Sequence, residues 1–167
     1  MSDLGPVTIR PARPADGPAF VGLVRALADF EQLDPPDEPA AARLLDHAFG
    51  PRRRFELLIA ETEGRVCGYA LFFETYSTFR AAPSLFLEDL FVHPDVRRRG
   101  IGRALMRELA RLAVERGCRR LEWTVLDWNE RAQGFYRTLG ARVLREWWLC
   151  RLDGDALVSL GTPGGAR

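Results

Sequence analysis

The stretch HPDVRRRGIGRALM, His93–Met106, runs three arginines into two glycines where an apolar helical pattern begins. A helix start leaves backbone N–H groups without intrahelical acceptors and carries partial positive charge. Glycine lets a backbone approach a ligand closely. Arg97, Arg98, Arg99, Gly100, Ile101, Gly102 and Arg103 therefore suit a phosphate or pyrophosphate. A solvated charged turn would carry the same arginine run. Two nucleotide motifs do not fit. The Walker A pattern is absent. The Rossmann fingerprint needs a third glycine where Leu105 stands, and it belongs after a first strand rather than after several.

Glu88 and Asp89 interrupt the apolar run SLFLEDLFV. Carboxylates there are costly to bury unless they are paired or used. Adjacent strand residues point to opposite faces, so the two cannot line one pocket unless a bulge re-aims one of them. A salt-bridged or strand-end carboxylate is the plain reading; a cation site is the functional one. Tyr136 follows Asn129 by seven residues, nearly two helical turns, which puts both on one helix face. A phenol stays protonated at neutral pH and can donate a proton, although a packed aromatic beside Phe135 is the commoner case. Asn129 suits a helix N-cap.

The elements that must hold these groups follow from periodicity and breakers. VTIRPA reads as a strand closed by Pro11, and Asp16 as the N-cap of a helix carrying Phe20, Leu23, Val24, Leu27 and Phe30. A second short helix through Leu44, Leu45, Ala48 and Phe49 stops at Gly50-Pro51. FELLIAET and VCGYALFFETY are strands joined by a hairpin at EGR, and SLFLEDLFV is the next strand. A helix with Ile101, Leu105, Leu109 and Leu112 ends at Gly117. RLEWTVL is a strand, NERAQGFYRTLG a helix, and ARVLREWWLCRL and ALVSL are expected as two last strands before a loose tail, 161–167. The expected fold class is α/β with mixed α+β character: one domain over 1–167, a mixed sheet of about seven strands, and about four helices packed on it.

Among 167 residues, 24 are basic and 23 acidic, a formal charge of +1 that argues against a general nucleic-acid binder. Cys67, Cys118 and Cys150 show no CxxC spacing, so neither disulfides nor a metal site is expected, and a cytoplasmic location is the default. The start of the chain has no apolar signal core, and no run is long enough for a membrane span. His47 and His93 stand isolated, and nothing in the sequence activates Cys118.

VRRRGIG contains R-x-x-G-x-G, from Arg97 through Gly100 to Gly102, and this resembles the acetyl-CoA loop of the GNAT superfamily of N-acetyltransferases. FLEDLFV, RRRGIGRAL and DWNERAQGFYRTLGA stand in the order and spacing of its diamine (polyamine) and thialysine acetyltransferase branch. The likeness spans about Val7 to Leu160 and is densest from Leu85 to Ala141. Two positions depart from it: Arg131 stands where the branch often has proline, and Phe30-Glu31 where it often has Tyr-Glu.

The resemblance implies the GNAT fold, acetyl-CoA as cosubstrate, no metal, and acetyl transfer to a primary amine of a small cationic substrate by direct attack in a ternary complex. It implies that the loop amides hold the pyrophosphate. The segment Asp89–Val92, with Leu90, Phe91 and Val92 as cofactor contacts, would then pair with the pantetheine arm, and Asn129 would contact the cofactor or a water. It places a catalytic tyrosine at Tyr136 and sets Glu88 against the substrate amine, either as a cation partner alone or also as the base that removes the proton through water. Phe30, Glu31 and Asp89 join Glu88 as substrate contacts. A homodimer is implied, with neither nucleic acid nor membrane as partner. Two rival readings share the fold: a protein lysine or N-terminal acetyltransferase, and a non-catalytic acyl-CoA-binding sensor.

Overall fold

Residues 5–162 are described by a computed structural model. Two residues, Glu63 and Gly64, both with positive φ, turn the chain between its first two long strands, as a tight hairpin matched to strand twist requires. These strands are β2 (Glu56–Thr62) and β3 (Arg65–Ser77). With β4 (Ala82–Val92) they form an antiparallel meander. The edge strand β1 (Thr8–Pro11) pairs antiparallel with β2, and β5 (Leu121–Trp123) pairs parallel with β4. The sheet order is β1-β2-β3-β4-β5.

Helices α1 (Gly17–Glu31), α2 (Glu38–Phe49) and α3 (Ile101–Glu115) complete this part of the chain. Phe20 and Leu23 of α1 pack with Leu57, Ile59, Tyr69, Leu71 and Phe91, which share one sheet face. Leu58, Ala70 and Phe72, of the other parity, are buried on the opposite face, and Leu87 joins them as the register partner of Phe72. The chain contacts place α3 against β2, β3 and β4, and its buried Leu105 and Leu109 supply the apolar stripe that helix spacing predicts.

Asp16 does not cap α1. Its backbone is helical and its side chain makes no cap bond. The carboxylate instead takes a bidentate pair from Arg10 at 2.7 and 2.8 Å and the Arg13 N–H at 2.6 Å. Arg10 Nε also donates to Glu61 at 3.0 Å. A buried carboxylate gains more from a fixed guanidinium fork than from one helix amide.

The chain divides into two compact units, 1–124 and 125–167. Residues 125–167 hold α4 (Glu130–Arg137) and α5 (Gly154–Gly161). Here the structure corrects the expectation from sequence. No ladder forms over 141–152, and 156–160 lies in α5 rather than in a strand. Among the described residues the sheet has five strands rather than seven, with five α-helices rather than four. An apolar run signals a wish for burial, but a strand also needs a neighbour to take its backbone bonds. Beyond Gly161 and Thr162, the expected tail lies outside the described residues. No described helix is long and apolar enough to cross a membrane.

Candidate active site

The glycine loop joins β4 to α3. Arg98 and Gly100 both have positive φ, at 65° and 77°. Left-handed Gly100 followed by right-handed Ile101 is a pairing that turns successive N–H groups toward one concave side, an anion-binding nest. Gly100 tolerates the left-handed conformation at its position, just before Ile101 opens α3, and its carbonyl already accepts the Ala104 N–H at 2.9 Å. Ile101 is buried and pins the helix start to the core, while Arg98 and Arg99 stay exposed. The arrangement fits a pyrophosphate held by backbone amides beside two accessible guanidinium groups.

Arg97 is placed differently. Its Nε donates to the Val92 carbonyl at 2.8 Å. Its guanidinium lies 5.4 Å from the ring centroids of both Phe30 and Phe91, within cation–π range. It ties the loop to the end of β4 and to the last turn of α1, where Phe30 and Glu31 stand.

The carboxylates of β4 are separated by a bulge. Leu71 pairs with Asp89, whereas Phe72 pairs with Leu87, so Glu88 is an extra residue without an opposite partner on β3. Asp89 shares the face of Leu71, toward α1, and the bulge leaves Glu88 exposed. Pairing with β5 ends at Leu87, so from Glu88 to Val92 the ladder of β4 runs to β3 only. That stretch contains the backbone at Leu90, Phe91 and Val92 that was expected to meet a cofactor arm.

Asp89 accepts a hydrogen bond from the Tyr69 hydroxyl at 3.2 Å. Burial, with the charge of Glu88 added, pushes its carboxyl up to about 6, and Glu31 adds to the effect while Tyr69 opposes it. Burial likewise raises Glu31, and burial together with Asp89 raises the Tyr69 phenol. The tyrosine ring is fully buried and meets Phe20 edge-on, with centroids 5.1 Å apart. Tyr69 does not stand out in the sequence because it sits among apolar strand residues. The available signal was its hydroxyl, since a buried tyrosine usually finds a polar partner.

Within residues 125–167, Asn129 caps α4 as expected by accepting the Ala132 N–H at 3.0 Å. Tyr136 is half-buried on the same helix, its ring 5.3 Å from that of Phe135. Gln133, between them, donates to the carbonyls of Leu126 and Asp127 and fixes the turn that leads into α4. Among the described residues, no group of three His, Cys, Asp or Glu is arranged to hold a metal ion.

Residues 22–141 match the model of the acetyltransferase (GNAT) family. The chain belongs to that family. This GNAT acetyltransferase is 34% identical over 165 residues to the thialysine N-epsilon-acetyltransferase of Bos taurus, covering 92% of this chain and 96% of the relative. The L-ornithine N5-acetyltransferase of Arabidopsis thaliana is 45% identical over 95 residues, covering 57% of this chain and 42% of that protein. Among solved structures, an integron cassette protein from the mobile metagenome of V. cholerae superimposes with a TM-score of 0.81 at 28% identity, covering 92% of this chain and 96% of that one. The mixed sheet with helices packed on it is thus a GNAT fold, and the protein is an acetyltransferase.

Proposed function

We propose that this GNAT enzyme transfers an acetyl group from acetyl-CoA to a primary amine of a small cationic substrate, a diamine or an amino acid with a basic side chain. The observation that carries the reading is the juxtaposition, within residues 1–124, of an arginine-flanked glycine loop, tied by Arg97 to Phe30 and Phe91, with the carboxylates of Glu31, Glu88 and Asp89. One suits a pyrophosphate and the other a substrate with positive charge. The similarity to thialysine and ornithine acetyltransferases supports the same class.

When bound, acetyl-CoA supplies the thioester whose carbonyl the amine attacks directly, without an acyl-enzyme. The loop amides from Arg98 to Arg103 hold its pyrophosphate, the open edge of β4 at Leu90–Val92 receives its arm, and Asn129 adds a polar contact. Arg97 braces loop and strand. Glu88, exposed on its bulge, and Glu31 with Phe30 meet the substrate's cationic end. Tyr136 donates the proton that the leaving thiolate needs. We also propose a homodimer. Trp147, Trp148 and Leu149 are exposed, as are Leu157, Val158 and Leu160 of α5, an apolar surface that a second copy would cover. A cytoplasmic setting completes the reading.

A screen of free amines with acetyl-CoA, following released CoA thiol, tests it. Turnover with diamines and basic amino acids, and little with neutral amines or peptides, is the expected result. Preference for a peptide would favour a protein acetyltransferase, and CoA binding without turnover would favour a sensor. Gly102→Val should weaken acetyl-CoA binding in a folded protein; unchanged affinity would remove the anion role of the loop.

A further inference from the structure

We infer that Asp89, oriented by Tyr69 on the α1 face of the sheet, takes the proton from the substrate amine, and that Glu88 supplies charge alone. The inference rests on the functional reading above and assigns one of its steps.

The geometry separates the two neighbouring carboxylates. Without the bulge, alternation would send Glu88 and Asp89 to opposite faces. With the bulge, Asp89 keeps the register of Leu71 and enters the α1 side, while Glu88 stands outside the ladder and exposed. Asp89 is half-buried and one oxygen, Oδ2, accepts the Tyr69 hydroxyl. That bond fixes the carboxylate plane and leaves Oδ1 with no hydrogen-bond donor among the described residues. Tyr69 is in turn held by Phe20 and by its complete burial. Asp89 also lies in the stretch of β4, Glu88 to Val92, that pairs with β3 alone, next to the segment the acetyl carrier would occupy.

The charges facing Asp89 come from each element around it. Glu88 is its neighbour on β4, Glu31 stands at the end of α1, and Tyr69 donates from β3. On the loop side, Arg97 stacks over Phe91, two residues along the same face, with its Nε committed to Val92. The crowding of negative charge with burial holds the carboxyl at about 6. A carboxyl so poised is mostly ionised at neutral pH yet is a stronger base than an ordinary aspartate.

An N–H bond of the ammonium breaks and an O–H bond forms on Asp89; the ammonium becomes a neutral amine and the carboxylate a carboxylic acid. The freed lone pair forms the C–N bond with the thioester carbon. As the C–S bond breaks, the sulfur leaves as thiolate and is protonated to the thiol, and the acylated nitrogen gives up its extra proton, so no net charge is left on either product. Asp89 then releases its proton to water.

The test is the pH dependence of kcat/KM, which reports groups of the enzyme free of the amine, with saturating acetyl-CoA and two probe amines, thialysine and 1,4-diaminobutane. Wild type should lose kcat/KM in acid along a limb near pH 6. Asp89→Asn should abolish that limb and lower kcat by roughly 10²–10⁴, while Glu88→Gln should raise KM and keep the limb, moved to lower pH by the loss of the neighbouring charge. Tyr69 is a positioning residue: Tyr69→Phe removes a bond that favours the carboxylate, so the limb should move to higher pH with kcat/KM recovering above it. A purely structural tyrosine would lower stability and leave the limb in place. Titration of the Asp89 carboxyl by carbon NMR in wild type gives the same answer if the phenylalanine variant does not fold; it should titrate near 6, and a value near 4 overturns the inference. Turnover in Asp89→Asn with an unaltered acid limb, or loss of the limb in Glu88→Gln, overturns it while leaving the function intact. Wild type that acetylates neither amine overturns the functional reading and this step with it.

Discussion

Removing the charge of Asp89 should make the protein more stable, and only above acid pH. Folding moves this carboxyl from its ordinary 3.8 to about 6. The folded state therefore binds the proton more tightly than the unfolded chain does. Below about pH 4 both states are protonated and the group is neutral in its effect. As pH rises from about 4 to about 6 the unfolded chain ionises first, and stability falls. Above about pH 6 the whole cost is present. The interval corresponds to about 3 kcal/mol at about 1.4 kcal/mol per pH unit, an upper value because Asp89 is only half-buried. Asp89→Asn retains an oxygen to accept from Tyr69 and carries no charge. Urea unfolding followed by circular dichroism should show the variant about 2–3 kcal/mol more stable at pH 8 and equal to wild type near pH 4. A difference that does not grow with pH would refute the electrostatic account of the site. A gain in stability joined to a loss of turnover is the trade expected where charge crowding serves chemistry.

Arg10→Met should cost roughly 3–5 kcal/mol, because it leaves Asp16 buried without its guanidinium. Arg10 holds the Asp16 carboxyl below the usual range, so that support is lost as pH falls and the deficit seen by urea unfolding should shrink in acid. Tyr136→Phe should lower turnover by roughly 10²–10⁴ with acetyl-CoA binding little changed; full turnover under rate-limiting chemistry would dismiss the phenol as acid. Sedimentation at micromolar concentration should show a dimer, weakened by deletion from Ala156 onward, and a monomer at high concentration would dispose of it.

The meander was legible because its signals agree at each level. FELLIAET and VCGYALFFETY are rich in strand formers, and Glu63-Gly64 supplies the turn between them. The glycine loop was legible because arginines, glycines and a helix start coincide within a few residues. The C-terminal stretch was not. ARVLREWWLCRL has the apolar content of a strand, but pairing depends on what lies beside it, and sequence does not name the neighbour. Asp16 misled for a related reason: a good capping residue was claimed by Arg10, six residues earlier. The bulge at Glu88 could be posed as a condition from alternation alone, but its position required the register with β3. Tyr69 was invisible as a partner because it and Asp89 lie 20 residues apart.

The order of strands in space repeats their order in the chain, and that has a kinetic consequence. The turns of the meander close two residues at 63–64 and four at 78–81, whereas β1 and β2 are separated by 12–55. Closing the longer loop costs roughly 3 kcal/mol more in chain entropy than closing the shortest turn. The meander, with the Glu88 bulge and the Tyr69–Asp89 pair, should therefore be framed before α1 docks and brings Glu31 to the other carboxylates. The local pair belongs to the early framework, while repulsion from Glu31 is felt late, after the rate-limiting barrier. Relieving it with Glu31→Gln should leave the refolding rate nearly unchanged and slow unfolding. The charge that readies this site for a cation would then act chiefly as a limit on the lifetime of the native state.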